Sequence, residues 1–300
     1  MWQPEPGWQR LPGAGPSTLG VWAAREDDGD VVVKRLLAPT PHDPPEYLQP
    51  THPAYWRRAA EVAESGVVAG TPGLREAELV RVREDAEGIT LVHRRVPEAG
   101  SSGLFLARSV GRFAQAEVPD LPWLARDQLG ARLSQVERRG GWATLDRTPV
   151  ADVAHHLWLR REALLGQVAA LPQVPQHGDP VPANLLGHQG DDVVAVDWST
   201  LGRGPVGGDL GYLSLSTREA FEPLFIAYFT GLPDGLASPE QVMLAARVTA
   251  VYTVLTRADW ALARVAGGEG ALAGKFRHPS VAPYLLAMQR QFTQIEALLT

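Results

Sequence analysis

The 300-residue sequence contains no cysteine. This absence excludes disulfide bonds, thiolate metal sites and cysteine nucleophiles. Lysine is almost as scarce, because only Lys34 and Lys275 occur among 28 basic residues and all the others are arginines. An excess of positive charge is also missing, since the formal net charge is −6. This charge argues against a nucleic-acid-binding protein, which usually carries a basic stripe.

Long apolar segments are lacking as well. The most apolar late stretch, residues 242–265, is interrupted by Arg247, Arg257 and Asp259, which favours a buried helix over a membrane span. The first residues show neither the charged region nor the apolar core of a signal peptide. The sequence therefore predicts a cytoplasmic protein without membrane contact, either a monomer or a homodimer. Its 45% hydrophobic and 21% charged residues are ordinary for a globular enzyme.

The most informative stretch, residues 177–197, places two carboxylates and one carboxamide at fixed intervals. Asp179 and Asn184 are five residues apart on a loop, and Asp197 follows the apolar run 193–196, which reads as a short buried strand. Loop and strand end thus bring three oxygen-bearing side chains together, and such ligands suit Mg²⁺ bound to phosphates. A chance hairpin with acidic residues on its surface is the alternative.

The same spacing resembles the catalytic loop of the kinase superfamily, His-x-Asp-x-x-x-x-Asn, with His177 as its first residue. A glycine between His177 and Asp179 is similar to the aminoglycoside phosphotransferase and choline kinase family. The further residues that carry this resemblance are Asp197, Trp198, Gly202, Gly204, Gly208, Asp209 and Leu210.

This resemblance implies an α+β, two-lobed protein-kinase-like fold. A small N-terminal lobe, residues 1–97, would contain an antiparallel sheet and one helix and bind the nucleotide. A larger, mostly helical C-terminal lobe, residues 98–300, would contain the catalytic and substrate-binding residues. ATP and Mg²⁺ are the implied cofactors.

The N-terminal part reads as strands over 8–11, 20–24 and 31–36, followed by 78–83 and 89–96. By resemblance, Lys34 on the third strand pairs with the α- and β-phosphates of ATP. The loop 12–19 would cover the phosphates with its backbone, and its candidate nucleotide-binding residues are Gly13, Gly15 and Ser17. A tight hairpin alone is the alternative reason for these glycines.

A helix is predicted to begin near Pro53 and to run to about residue 65. By resemblance it carries the glutamate that holds Lys34, and Glu61 is the candidate. Pairing of Glu61 with Arg57, one turn earlier on the same helix, is the alternative. Ala59 stands where related phosphotransferases often have the acid.

The segment from His93 to Val96 is the implied hinge, where adenine bonds to backbone groups. By the same resemblance, Asp179 accepts or orients the proton of the acceptor hydroxyl. The metal ligands would be Asn184 and Asp197, and the residues that support the catalytic loop would be His177 and Asp209. For Asp209, capping its own helix is the alternative.

Two absences favour a small-molecule acceptor over a protein. Val181 stands where protein serine/threonine kinases usually have lysine, and eleven residues between Asp197 and Asp209 leave no room for a long activation segment. The acceptor is expected to be an aminoglycoside or another antibiotic, an amino sugar or an amino alcohol. The polar or aromatic candidates for its pocket are Tyr212, Glu222, Tyr252, Asp259 and Trp260, each of which also has a plain packing interpretation.

Two other functions compete with a small-molecule kinase. One is a kinase-like nucleotide-binding protein without turnover. The other is a metal-dependent hydrolase that uses His177, Asp179 and Asp197.

The rest of the chain is predicted to be mostly helical. Apolar residues at helical spacing predict helices over 104–118 and 153–171. Two pairs have the spacing of a capping box and predict helix starts: Ser216 with Glu219, and Ser238 with Gln241.

Overall fold

The structure is a computed structural model that describes residues 2–13, 15, 17–267 and 271–299; Ala14 and Pro16 of the predicted phosphate loop lie outside these residues. The strands are β1 (Gln9–Leu11), β2 (Thr18–Glu26), β3 (Gly29–Leu37), β4 (Leu74–Glu76), β5 (Leu79–Asp85), β6 (Gly88–Arg94), β7 (Gln173–Gln176), β8 (Leu185–Gln189), β9 (Asp192–Ala195) and β10 (Gly202–Pro205). The helices are α1 (Arg58–Ser65), α2 (Gly103–Phe113), α3 (Gln128–Glu137), α4 (Ala151–Ala169), α5 (Gly208–Leu213), α6 (Phe221–Phe229), α7 (Pro239–Ala266), α8 (Ala282–Arg290) and α9 (Phe292–Glu296).

The N-terminal part contains a five-stranded antiparallel sheet in the order β1-β2-β3-β6-β5. The position of Lys34 follows from the alternation along β3, because successive side chains of a strand point to opposite faces of the sheet. Val31 and Val33 are fully buried on one face, where they pack with Val92 of β6. Val32 and Lys34 project from the other face and line a cavity.

Helix α1 packs against this second face through its alanines. It begins at Arg58, so the predicted start near Pro53 is wrong. The preceding residues form turns instead, and the carbonyl oxygens of Pro50, His52 and Pro53 accept hydrogen bonds from the guanidinium of Arg58. These hydrogen bonds hold the residues before α1 in turns.

Residues 177–197 are positioned by two small sheets. Strand β9 pairs in parallel with β4 and antiparallel with β8, while β7 pairs with β10. Because β7 ends at Gln176 and β9 ends at Ala195, the loops that follow these strands hold the residues of the predicted site.

The C-terminal part is mostly helical and shares one large hydrophobic core, through which the 28-residue helix α7 passes. An antiparallel sheet near the N-terminus and helices near the C-terminus confirm the predicted α+β class. None of the helices in the part of the chain that the structure describes is long and apolar enough to cross a membrane.

Of the two predicted capping boxes, one forms. The Ser238 side chain accepts from Gln241 N, and the Gln241 side chain returns the contact. The box at Ser216 and Glu219 is wrong, because α6 begins only at Phe221 and the Glu219 carboxylate accepts from Gly103 N, at the start of α2.

Candidate active site

The loop after β7 is held by the ring of His177. Its Nε2 donates to the carbonyl oxygen of Val196 at 3.0 Å, and its Nδ1 accepts from Asp179 N at 3.3 Å. One nitrogen donates and the other accepts, so the imidazole is neutral. Burial favours the same state and lowers the pKa of His177. The ring therefore joins the loop of Asp179 to the end of the strand that leads to Asp197.

The carboxylate of Asp209 holds the same loop through two backbone hydrogen bonds. It accepts from His177 N at 2.7 Å and from Gly178 N at 3.0 Å. Helix α5 has Gly207 as its N-cap, and the Asp209 side chain is directed to the loop rather than to its own helix. Burial raises the pKa of Asp209 to about 7, although the two backbone donors act to lower it.

The glycine of the motif is required by its surroundings. Gly178 has a φ of +82°, a conformation that other residues rarely adopt. A Cβ atom at this position would lie 2.6 Å from the carbonyl oxygen of Thr200 and would also meet the side chain of Gln128. Any larger residue would displace the loop that carries Asp179.

Asn184 and Asp179 are in direct contact. The amide nitrogen of Asn184 donates to Oδ2 of Asp179 and to its backbone oxygen, both at 3.0 Å. This arrangement leaves the amide oxygen of Asn184 available for another ligand.

Asp197 lies in the left-handed region, with a φ of +59°, and its Oδ1 accepts from Lys34 Nζ at 2.6 Å and from Ser199 Oγ at 2.8 Å. Burial acts to raise the pKa of Asp197, but the Lys34 charge and these two hydrogen bonds lower it to about 2. Its Oδ2 accepts no hydrogen bond from the residues that the structure describes. One carboxylate oxygen and the amide oxygen of Asn184 are hard ligands that fit Mg²⁺, which often takes few protein ligands beside phosphates and water.

Lys34, Asn184 and Asp197 border a cavity of about 850 Å³, within the size range of ligand sites. Seven of the candidate site residues line it, namely Gly13, Gly15, Lys34, His93, Val96, Asn184 and Asp197. Ser17, Glu61, His177, Asp179 and Asp209 do not belong to its lining. The backbone oxygen of Ser17 instead accepts from Leu37 N, next to the end of β3.

The model of the phosphotransferase enzyme family matches residues 10–241, which is more than half of the chain. The chain belongs to this family. Family membership confirms the expected class of enzyme, a small-molecule kinase. No curated protein matches the sequence significantly.

Solved structures with the same fold include a choline/ethanolamine kinase family protein from Mesorhizobium loti, with 19% identity, a TM-score of 0.57 and coverage of 97% of this chain and 92% of the other. An aminoglycoside phosphotransferase from Alicyclobacillus acidocaldarius has 14% identity, a TM-score of 0.54 and coverage of 97% and 91%. The amicoumacin kinase hAmiN, in complex with AMP-PNP, Ca²⁺ and Ami, has 13% identity, a TM-score of 0.55 and coverage of 98% and 89%. These matches confirm the kinase-like fold.

In this phosphotransferase, Lys34 and Glu61 do not pair. The Glu61 carboxylate lies 3.4 Å from Arg57 Nε on its own helix, and Lys34 is paired with Asp197. Ala59, two residues before Glu61, is the position of α1 that lines the cavity. Glu61 lies on a face of α1 that is turned toward Arg57.

The first and last residues of segment 93–96, His93 and Val96, both line the cavity. His93 Nε2 lies 3.2 Å from Glu76 Oε1, and the side chain of Glu76 is only 8% exposed. Strand β6 ends at Arg94, so Val96 lies just beyond it, in contact range of Gly187 on β8. Binding of a nucleotide base at this segment stays a prediction.

Three further residues of the phosphotransferase, Arg58, Arg132 and Arg257, were not considered as site residues in the sequence. Arg58 is fully buried and donates to five backbone carbonyls, among them that of Ser199, two residues after Asp197. The guanidinium groups of Arg132 and Arg257 flank the ring of Tyr212, and of these three residues only Tyr212 was considered. No spacing signals such a group, because its members come from three separate helices.

Proposed function

We propose that this phosphotransferase transfers the γ-phosphoryl group of ATP, in the presence of Mg²⁺, to a hydroxyl group of a small molecule. The observation that carries the proposal is that Lys34, Asn184 and Asp197 line one cavity while Asn184 is hydrogen-bonded to Asp179. Groups suited to phosphates, to a divalent cation and to the acceptor proton are thus adjacent, as phosphoryl transfer requires.

Each residue has a distinct role in this proposal. Lys34 binds the α- and β-phosphates, and the oxygens of Asn184 and Asp197 hold Mg²⁺. When bound, the metal neutralises charge on the phosphates. His177 and Asp209 keep the loop of Asp179 in place through the hydrogen bonds described above.

In the transfer step, the Asp179 carboxylate orients the acceptor hydroxyl and accepts its proton. The acceptor oxygen forms a bond to the γ-phosphorus as the bond between that phosphorus and the β,γ-bridging oxygen breaks. ADP leaves with the bonding electron pair. Nucleotide binding is assigned to residues 1–97, with the glycine loop and the 93–96 segment, and acceptor binding to residues 98–300. A cytoplasmic location and a monomeric or homodimeric state stay predictions.

An Asp179→Asn variant tests the catalytic role. We expect kcat to fall by roughly 10²- to 10⁴-fold, the usual contribution of a general base, with little change in the KM for ATP. ADP release would be followed with ATP, Mg²⁺ and a panel of aminoglycosides, other hydroxylated antibiotics, amino sugars, amino alcohols and hydroxy acids. Asp191→Asn, the same change at an exposed turn residue, is the matched control and should keep wild-type rates.

The alternative of a nucleotide-binding protein without turnover is supported by one observation, the pairing of Glu61 with Arg57 instead of Lys34. ATP with Mg²⁺ would then raise the melting temperature, but no acceptor would be phosphorylated. Release of phosphate from a phosphoester without nucleotide would instead support the hydrolase.

A further inference from the structure

A short turn, Trp198–Thr200, follows Asp197 directly. Asp197 has a φ of +59°, and a residue other than glycine adopts this left-handed conformation only where its surroundings hold it there. The Asp197 side chain does not cap the turn and so does not stabilise this conformation itself. The geometry of Asp197 therefore depends on the contacts of the residues that follow it.

The turn is fixed by hydrogen bonds from two directions. The backbone oxygen of Ser199 accepts from Arg58 Nη1 at 2.9 Å, which connects the turn to α1. The Thr200 hydroxyl donates to the backbone oxygen of His177 at 2.9 Å, and the backbone oxygen of Thr200 accepts from Gln128 Nε2 at 2.8 Å. Ser199 is thus held in position relative both to α1 and to the loop after β7.

From this position, the Ser199 hydroxyl donates to Asp197 Oδ1 at 2.8 Å. Lys34 Nζ donates to the same oxygen at 2.6 Å. The two donors differ in how firmly they are held, because a lysine ammonium is at the end of a flexible four-carbon chain, whereas the serine hydroxyl is one bond away from an anchored backbone. In the proposed function Lys34 also binds phosphates, so the contact of Ser199 is the one that does not depend on the nucleotide.

The two oxygens of the Asp197 carboxylate are used differently. Oδ1 accepts from Ser199 and Lys34, whereas Oδ2 has no hydrogen-bond partner in the part of the chain that the structure describes. When one oxygen of a carboxylate is held, its rotation is restricted and the position of the other oxygen is fixed. Hydrogen bonds of this kind orient the ligands of metal sites.

We propose that Ser199 is a positioning residue of this phosphotransferase, whose hydroxyl holds the Asp197 carboxylate in the orientation that binds Mg²⁺. The inference rests on the proposed function, in which Asp197 is a metal ligand. Ser199 does not line the 850 Å³ cavity, although Asp197 and Trp198 do, and this agrees with a residue that acts through Asp197.

The gain in nucleotide affinity that Mg²⁺ produces measures this role without turnover. The non-hydrolysable nucleotide AMP-PNP would be titrated by calorimetry, once with Mg²⁺ and once with EDTA, and the gain is the ratio of the two dissociation constants. Ser199→Ala should reduce the gain by about tenfold, which is typical for the loss of a hydrogen bond to a metal ligand. The dissociation constant in EDTA should be close to that of the wild type, because Ser199 is not in contact with the cavity.

Three further variants locate the effect. Ser199→Thr keeps a hydroxyl and should restore most of the gain, while Ser134→Ala, the same change at an exposed position of α3, is the control and should have no effect. Asp197→Ala should reduce the gain at least as far as Ser199→Ala. Adding Ser199→Ala to Asp197→Ala should have no further effect, because a positioning residue acts only through its ligand. Melting temperatures without nucleotide show whether each variant is folded.

Four results would overturn the inference: a gain that Ser199→Ala leaves unchanged, an equal loss of affinity with Mg²⁺ and with EDTA, a Ser199→Thr variant no better than Ser199→Ala, or a further loss in the double variant. An equal loss would indicate a general structural role instead. Failure of the proposed function is recognised separately in the wild type, which would then show no gain with Mg²⁺ or no binding of AMP-PNP, and the inference would fail with it.

Discussion

At the scale of single residues, Lys34 Nζ lies 2.6 Å from Asp197 Oδ1, and this contact joins residues that are 163 positions apart in the sequence. Both side chains are only partly exposed, Lys34 to 15%. Glu61, by contrast, meets Arg57 at the surface. The two residues that the resemblance joined are therefore in different environments, and their substitution should have different effects.

Lys34→Met is expected to raise the KM for ATP by roughly 10- to 100-fold, since a buried contact between an ammonium and phosphates is lost. Glu61→Gln should change the KM by less than about threefold, because a surface ion pair contributes little. Steady-state kinetics over a range of ATP concentrations gives both values. An equal effect of the two substitutions would mean that Glu61 joins Lys34 in the working enzyme.

At this scale, the sequence predicted that the side chains of Asp179, Asn184 and Asp197 lie close together. Asp179, Asn184 and Asp197 lie on one short stretch with one hairpin, so their spacing in sequence determines their spacing in space. Arg132 and Arg257 could not be found in this way. They lie on helices far apart in the chain, and only the packing of α3, α5 and α7 brings them to one ring.

At the scale of elements, Arg58 determines where α1 starts and how it is attached. Its guanidinium donates to the carbonyls of Pro50, His52, Pro53, Trp123 and Ser199, and none of these partners is charged. Burial lowers the pKa of Arg58 to about 10. The side chain thus joins the helix of the N-terminal part to the segment that follows Asp197.

Arg58→Lys is predicted to reduce the free energy of unfolding by about 3 kcal/mol, because three donors cannot serve five carbonyls and several buried acceptors lose their partners. Arg57→Lys, the same change one residue earlier at the surface, should cost less than about 1 kcal/mol. Denaturant unfolding of both variants provides the comparison. A similar cost for the two would show that the five hydrogen bonds add little.

Most strands were predicted from alternation and turns, whereas two helix starts, those of α1 and α6, were predicted wrongly. Proline is common in the first turn of helices, but the residues around Pro53 form turns whose carbonyl oxygens accept hydrogen bonds from Arg58. Glu219 has the spacing of a capping residue, but a more distant donor, the backbone nitrogen of Gly103, uses its carboxylate. In both cases a contact between distant segments overrides a local preference, and no local pattern reports such a contact.

At the scale of the whole molecule, the α+β architecture followed from strands near the N-terminus and helical periodicity after residue 103. Periodicity could not predict how the N-terminal and C-terminal parts contact each other, because this depends on single contacts such as those of Arg58 and Lys34. One buried carboxyl in the C-terminal part, Asp209, has a consequence for global stability.

The pKa of Asp209, about 7, is above that of an unfolded aspartate, so the folded state binds more protons than the unfolded state between about pH 4 and 7. Stability from this group is present below that range and is lost as the pH rises through it. Relative to Asp209→Asn, which does not titrate, the wild type should therefore lose stability from pH 5 to 8. Denaturant unfolding across this range measures the difference, and a wild-type stability that stays constant or rises relative to that of Asp209→Asn would contradict the assignment.

The direct contact of Lys34 with Asp197 has one more consequence, for the order and energetics of ligand entry. Under the proposed function, an arriving triphosphate would draw the ammonium of Lys34 toward itself and leave the Asp197 carboxylate without its counter-ion. Asp197 would then be able to hold a divalent cation. Nucleotide and metal should for this reason bind with positive cooperativity, and because such coupling is reciprocal, each should strengthen the other by the same factor.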